Sequence, residues 1–234
     1  MRQNKLAAFS ALLIIFMILI AVFAPVVAPY DHLQQSLADR LQHPSAAHWL
    51  GTDELGRDVL SRIIFGARIS LTIGLVPTLI SMAIGTVLGM YAGFYGGKFD
   101  DWVVWAYSTF ASMPTLLFIL AFALLVSRNF LSEGMVGAIR LAGTVLRAEP
   151  GMLAVYFAIG LTGWVTLCRV VRGEAMRLRS MPYVAAARLA GVSSPVIIFR
   201  HILPNVFHLV IIYFTLSFAG AIMLEVIVSY LGFG

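Results

Sequence analysis

Five stretches of this chain run for about 20 residues with few or no charges: residues about 6–28, 69–94, 102–126, 152–171 and 206–230. A helix of about 20 residues rises about 30 Å, the thickness of a bilayer's hydrocarbon core. Inside that core every backbone polar group must be satisfied within the protein, so only helices and closed barrels span it. The short alternating segments of a membrane barrel are not seen here. The expectation is an all-α integral membrane protein, a helical bundle with five visible spans. Composition agrees, with 60% hydrophobic and only 12% charged residues, where a soluble domain carries about 25% charged. The net charge of +5 does not point to nucleic acid. The arginines flank apolar runs and form no patch interleaved with aromatics, so lipid headgroups and inside loops are their expected use.

Arg2 and Lys5 precede the first apolar run in the manner of a signal peptide. The run from Leu6 to Ala28 is too long for that, and the one small-residue cleavage position, after Ala28, is followed by Pro29. It should remain as a first spanning helix. Pro77 and Pro114 fall inside the second and third spans, where a kink is expected. Gly85, Gly89 and Gly93 stand four apart on one helix face, a spacing that lets another helix approach closely. Tyr91, Tyr95, Trp102 and Trp105 flank the short loop at Lys98 and read as interfacial anchors rather than ligand contacts. Cys168, the single cysteine, has no partner for an internal disulfide and reads as a buried thiol.

Lys and Arg placement sets the orientation. With the N-terminus inside, the inside segments hold nine basic residues (Arg2, Lys5, Lys98, Arg169, Arg172, Arg177, Arg179, Arg188, Arg200) against seven outside (Arg40, Arg57, Arg62, Arg68, Arg128, Arg140, Arg147), a margin too small to decide alone. Distribution decides it. The 170–205 loop has one acid, Glu174, whereas the 30–68 loop offsets its arginines with Asp31, Asp39, Asp53, Glu54 and Asp58. The 170–205 loop is therefore placed in the cytoplasm.

Within that loop, Tyr183–Ala190 has good helix composition and Gly191 stands where a helix ends in a left-handed residue. Ser194 as N-cap and Pro195 at the first helical position restart a helix expected to run until Pro204. Ala185, Ala186, Ala187 and Ala190 give the first arm a small-residue surface. Two uses stand open: docking in a partner's groove, or lying on headgroups with Arg188 and Arg200 reaching phosphate. Glu174, with Arg172 and Arg177, is either a solvated face or a partner contact.

Here the chain resembles the permease subunits of bacterial ABC importers. Their cytoplasmic loop carries E-A-A, three residues, G, nine residues, I, one residue, L-P, and this chain supplies "AAARLAG", nine residues and "HILP". Ala186, Ala187, Gly191, Leu203 and Pro204 match. Ala185 stands where the motif has Glu, and His201 where it has Ile. Arg188 lies within the motif. "HWLGTDELGRDVLSRIIFGARISLTIG" and "YAGFYGGKFDDWV" are similar to stretches of the dipeptide, oligopeptide and nickel permeases. The 127–150 stretch is the least familiar and reads as an insertion.

The resemblance implies a subunit that forms the translocation path for di- or oligopeptides or a related solute such as nickel. It implies a second, different permease subunit as a heterodimer partner, two ATPase subunits that hold ATP and Mg, an external solute-binding protein, and the bacterial cytoplasmic (inner) membrane as location. The implied fold has six spans with both termini inside, whereas the chain ends at "EVIVSYLGFG" after five, as a fragment or a chain lacking the last helix would. The expected organisation is an N-terminal segment and first helix (1–29), an external loop (30–68) and a permease core (69–234) that includes the coupling loop at about 172–205.

Read by itself, "GTDELGRD" is more modest. Gly51 and Gly56 permit tight turns, and Asp53, Arg57 and Asp58 are placed to pair with one another or to cap a helix beginning near Val59, against a gating or substrate role. The nearest approach to a phosphate-binding loop, "YGGKFD", has Ala92 where the first glycine should fall and Phe99 in place of Ser or Thr. No cofactor and no catalytic residue is therefore expected on this chain, which is not read as an enzyme. His32, His43 and His48 lack a metal-ligand spacing, so no metal site is expected. The alternative is an ion-coupled carrier or channel using Glu225, an acid within an apolar span that faces a path, a partner helix or the outer interface. A scaffold that moves nothing is a third reading.

Overall fold

The computed structural model describes residues 5–127, 137 and 150–231. The 128–149 segment apart from Gly137, with Arg128, Arg140 and Arg147, lies outside the described residues, as do Arg2 and the final 232–234. The chain forms two compact units, Met1–Thr72 and Ile73–Gly234. Among the described residues there is no strand, and four helices are long and apolar enough to cross a membrane, or five where a bent pair counts as one span. That agrees with the bundle expected from the apolar runs.

In the first unit α1 (Lys5–Val22) exposes apolar side chains all round, among them Leu6, Phe9, Leu12 and Phe16. A helix apolar on every face belongs in lipid or against another protein. The short α2 (Ala24–Val27) follows, and Ala28 is extended, as the residue before a proline tends to be. A loop with one 3-10 turn at Leu37–Asp39 then leads into α3 (Val59–Tyr95). At 37 residues α3 is about 55 Å long. It starts ten residues ahead of the expected span at 69, where the Asp58 cap places it.

The second unit is built around α6 (Pro150–Leu178), whose Leu153, Tyr156, Leu167, Cys168 and Val171 are all buried. It runs seven residues past the expected span end at 171. The glycine stripe of α3 does what its spacing suggests. A Cβ on Gly85 would lie 2.8 Å from Trp164 O, on Gly89 2.8 Å from Cys168 O, and on Gly93 2.5 Å from Arg172 O, so the stripe meets α6 carbonyls also four apart. Cys168 is the buried thiol expected.

The third span differs from expectation. In place of one kinked helix over 102–126, α4 (Gly97–Ser112) and α5 (Thr115–Ser127) meet at 92°. Pro114 disfavours helical geometry in the residue before it, and Met113 is extended at φ −89°, ψ 134°. Ser112 and Thr109 turn their hydroxyls back onto carbonyls of their own last turns. Trp102, Trp105 and Tyr95 are exposed, as interfacial anchors would be.

After α6 come α7 (Pro182–Leu189), α8 (Ser194–Ile197), a π turn (Ile198–Ile202) and α9 (Leu203–Tyr230). Two local expectations shift. The cap is Ser193, with Ser194 the first helical residue, and the second arm does not end at Pro204. The Leu203 N–H reaches back five residues to Ile198 O, and Pro204 then falls in the first turn of α9, where its fixed φ suits a helix start. The stretch Ser194–Tyr230 thus forms one candidate span.

Candidate functional site

The elbow, residues 182–204, is held by its apolar side. Val184 of α7, with Ile197, Ile198 and Ile202 after the turn, is fully buried in one cluster with Phe94 of α3 and Ala175 and Leu178 of α6. Gly191 adopts φ +77°, a conformation costing an L side chain about 1–2 kcal/mol. Its N–H bonds to Arg188 O at 3.0 Å, and Val192 N–H bonds to Ala187 O at 3.0 Å, closing the end of α7.

The opposite side of α7 is open. Ala185, Ala186 and Ala190 are exposed there, Ala187 is half-buried, and Arg188, also exposed, stands four residues after Val184 on the packed side. Leu189 is 91% exposed, an apolar side chain standing free at the end of α7. Sequence reasoning passed over Leu189, although it stands four residues after Ala185 on the same helix face. The Arg188 guanidinium lies 4.8 Å from the Phe94 ring centre. His201 is half-buried with its ring 6.3 Å from that of Tyr183, Leu203 is half-buried and Pro204 exposed. The elbow residues singled out from sequence thus lie in order along α7, the turn at Gly191, the π turn with His201, and the start of α9 with Leu203 and Pro204.

Near the elbow Arg172 enters a partly buried pair, while Glu174 and Arg177 pair on the exposed surface. Arg172 of α6 donates from Nε and Nη2 to the two oxygens of Asp100 on α4, the second at 2.7 Å, and Asp100 is buried. Glu174 pairs with Arg177 three residues on. The Arg172 pairing spans 72 residues of sequence, and spacing alone carries no trace of it.

The "GTDELGRD" loop lies in the first unit and is built as a cap. Asp53 accepts from Leu55 N–H at 2.8 Å, Arg57 N–H at 3.0 Å, Arg57 Nε at 2.8 Å and Arg62 Nη1 at 2.5 Å. Gly56 N–H bonds to Asp53 O at 3.0 Å, and both Gly51 and Gly56 adopt positive φ. Asp58 Oδ2 accepts from Ser61 N–H at 2.8 Å and Ser61 Oγ at 2.7 Å, the bond of an N-cap to its third helical residue, while His48 Nδ1 is 3.0 Å from Oδ1. Desolvation pushes both carboxyls up, but the hydrogen bonds outweigh it. Arg57 and Leu55 bring Asp53 down to about 2, and Ser61 and His48 bring Asp58 below the usual carboxylate range. The loop is thus a self-satisfied cap on α3. His32 stacks on Phe65 at 3.9 Å.

Glu225 is half-buried in α9 and accepts from Ser229 Oγ. Among the described residues no group of three or more acids, histidines or cysteines is placed to hold a metal.

Residues 85–234, which include α4, α6, the elbow and α9, match the family described as binding-protein-dependent transport system inner membrane component. The chain belongs to this family. Residues 1–44 match the N-terminal TM domain of oligopeptide transport permease C. Similarity to individual relatives runs the full length of the chain. It is 32% identical over 233 residues to the oligopeptide transport system permease protein OppC of Bacillus subtilis (strain 168), covering 100% of this chain and 69% of the relative. It is 33% identical over 234 residues to the dipeptide transport system permease protein DppC of the same organism, covering 100% and 66%. It is 34% identical over 233 residues to the glutathione transport system permease protein GsiD of Pectobacterium atrosepticum, covering 99% and 70%. The chain thus spans about two thirds of the length of these relatives. It is a multi-pass membrane protein of a transport permease family, the family that the coupling-loop and "GTDELGRD" resemblances pointed to.

Proposed function

We propose that this chain is one permease subunit of an ATP-driven importer for peptides, driven through its elbow by a separate ATPase. The observation that carries this is the open face of α7. Ala185, Ala186, Ala190 and a 91% exposed Leu189 face outward, while Val184 fixes the helix from behind. A short helix with small residues around one protruding leucine fits a groove.

In this reading the N-terminus and the elbow lie in the cytoplasm, where the basic residues Arg177, Arg179, Arg188 and Arg200 gather, and the 30–58 loop lies outside. The partners are a second, different permease subunit, two ATPase subunits holding ATP and Mg, and an external solute-binding protein. This chain hydrolyses nothing and holds no nucleotide itself. A peptide solute fits relatives named for oligopeptide, dipeptide and glutathione transport. Closure of the ATPases on ATP pushes the elbow, and because Val184 and Ile197 share a core cluster with α6 and α9, the push moves packed helices rather than a loose loop.

The test is recovery of partners with the tagged chain from its native membrane, followed by uptake in vesicles rebuilt from the recovered complex. Trialanine, glutathione and Ni2+ serve as separate radiolabelled probes. An ATPase and a second permease should co-purify, and Gly191→Val or Ala186→Trp should release the ATPase while leaving the second permease bound. ATP-dependent trialanine uptake supports the reading. Recovery of the chain alone from membranes that still take up the probe defeats it, and uptake of Ni2+ alone would replace the solute.

A further inference from the structure

Asp100 is the one buried carboxylate of the second unit among the described residues. Its position is specific in three ways. It sits in the first turn of α4, where a negative charge complements the helix dipole. Both of its oxygens are taken by the fork of Arg172, a geometry that fixes orientation as well as distance. The Arg172 backbone is itself closely packed, since its carbonyl lies 2.5 Å from where a Cβ on Gly93 would stand.

A second contact runs parallel to the first. Arg169, three residues before Arg172, places its guanidinium 4.8 Å from the centre of the Tyr107 ring, seven residues after Asp100 on α4. Between these two grips, Val103 and Ala106 of α4 are buried against Trp164, Val165 and Cys168 of α6. The cytoplasmic reading of this end makes the same stretch of α6 the anchor of the elbow, because Ala175 and Leu178 share the cluster that buries Val184. One helix therefore holds the elbow by apolar packing and α4 by two arginines. Beyond the 92° break, α5 packs on the other half of α6, with Ile119 and Ala123 against Val155, Ala158 and Ile159.

From this placement we infer that Asp100 and Arg172 are a positioning pair that makes α4, and with it the bent α4–α5 arm, move as one piece with the elbow. The inference rests on the proposed coupling function, but the clamp itself is a property of this chain. The apolar packing of Val103 and Ala106, with Phe110 edge-on to Trp164 at 5.8 Å, holds α4 on α6 without fixing its end near Asp100. The bidentate pair fixes that end, and breaking it leaves a charge without its partner in a poorly solvated place. Work delivered to the elbow then reaches the bent arm only while the pair holds.

The experiment has two readouts on the full chain. In lipid nanodiscs, Asp100→Asn should raise hydrogen exchange of the α4 amides 101–110 at least tenfold and leave the elbow amides 184–189 unchanged. Asp100→Glu, which keeps the carboxylate, should stay within threefold of the parent. Unchanged α4 exchange in Asp100→Asn overturns the clamp whatever the partners prove to be. In the recovered complex, Asp100→Asn should keep its ATPase and hydrolyse ATP within twofold of the parent, while trialanine moved per ATP falls at least tenfold. The exchanged pair Asp100→Arg with Arg172→Asp should restore at least half of the ratio. A ratio unchanged in Asp100→Asn overturns the positioning role. So does loss of uptake and hydrolysis together with loss of the ATPase, which marks the pair as mere support of the fold. Failure of the parent chain to recover any ATPase defeats the proposed function, and the clamp is then judged on exchange alone.

Discussion

Replacing Gly93 with alanine tests whether close backbone approach holds the second unit together. The new Cβ would lie 2.5 Å from Arg172 O, 2.7 Å from Ala175 Cβ and 3.1 Å from Met176 N, where ordinary contact begins at 3.4 Å. Two of these three atoms are backbone and cannot rotate away, so α3 and α6 must part by most of an ångström at that level. Overpacking of this kind costs about 1–3 kcal/mol, and rigid neighbours put Gly93 near the top of that range. Against it stands the gain of about 1 kcal/mol that alanine brings over glycine in a helix interior. The net loss is about 2 kcal/mol, which lowers Tm by about 4–8 °C in a chain of this size. Gly173 and Gly220 are helical glycines with nothing within 4 Å of an added Cβ. Gly173→Ala and Gly220→Ala keep only the propensity gain and should melt at or above the parent. Cys168 supplies the assay, because it is the sole cysteine and is buried in α6 beside Gly89. A thiol-reactive dye added during a temperature ramp in detergent reports when that packing is lost. Gly85→Ala and Gly89→Ala, each meeting its nearest atom at 2.8 Å, should lose less than Gly93→Ala. A Gly93→Ala protein that melts at or above the parent, in step with the two controls, refutes the reasoning.

Three further outcomes are expected. Asp58→Ala removes the cap of α3 and the His48 partner. A cap is worth about 0.5–2 kcal/mol, so tryptic cleavage at Arg57 and Arg62 in the native state should quicken by about two- to thirtyfold, with Asp58→Asn nearer the parent. Asp53 has a folded pKa of about 2 against an ordinary 3.8, so its contribution is fully present above 3.8 and disappears as the pH falls through about 2. Amide exchange at Leu55 and Arg57, corrected for intrinsic rates, should lose protection in that window, whereas Asp53→Asn should show no such step. Glu225→Gln keeps an acceptor for Ser229 Oγ and should leave ATP-dependent uptake within threefold. Abolished uptake with intact ATP hydrolysis would return the ion-coupled reading.

What was legible in the sequence is what depends on local chemistry or on a repeat. Gly85, Gly89 and Gly93 announce close approach because nothing but the absence of a Cβ lets two backbones touch. Gly191 announces a left-handed turn because other residues are strained there, and Asp58 announces a cap because its carboxylate stands three residues before an N–H that needs an acceptor. Residues in long-range pairs were not legible. Asp100 and Arg172 each look like ordinary charges beside an apolar run, and their meeting depends on how α4 lies along α6. Pro114 was legible as a perturbation but not in its size. A proline permits either a kink within one span or a full break, and the choice here falls with Met113 going extended and two hydroxyls closing the last turn of α4.

The π turn at Ile198–Ile202 has its reason in the same sequence. Ile198, Ile202, Val206 and Val210 are buried in one cluster at a spacing of four. In a regular α-helix residues four apart drift by about 40°, so three such steps would carry Ile198 about 120° away from the face that holds Val210. A wider i→i+5 turn advances less angle per residue and recovers part of that drift at the first step. Just past the turn, Asn205 Nδ2 donates to His201 O at 2.6 Å. The irregular turn therefore keeps the elbow's buried side in line with the buried side of α9. A helix without it would have to give up either the burial of Ile198 or that of Val210, and with it the stiff connection between the elbow and the membrane span.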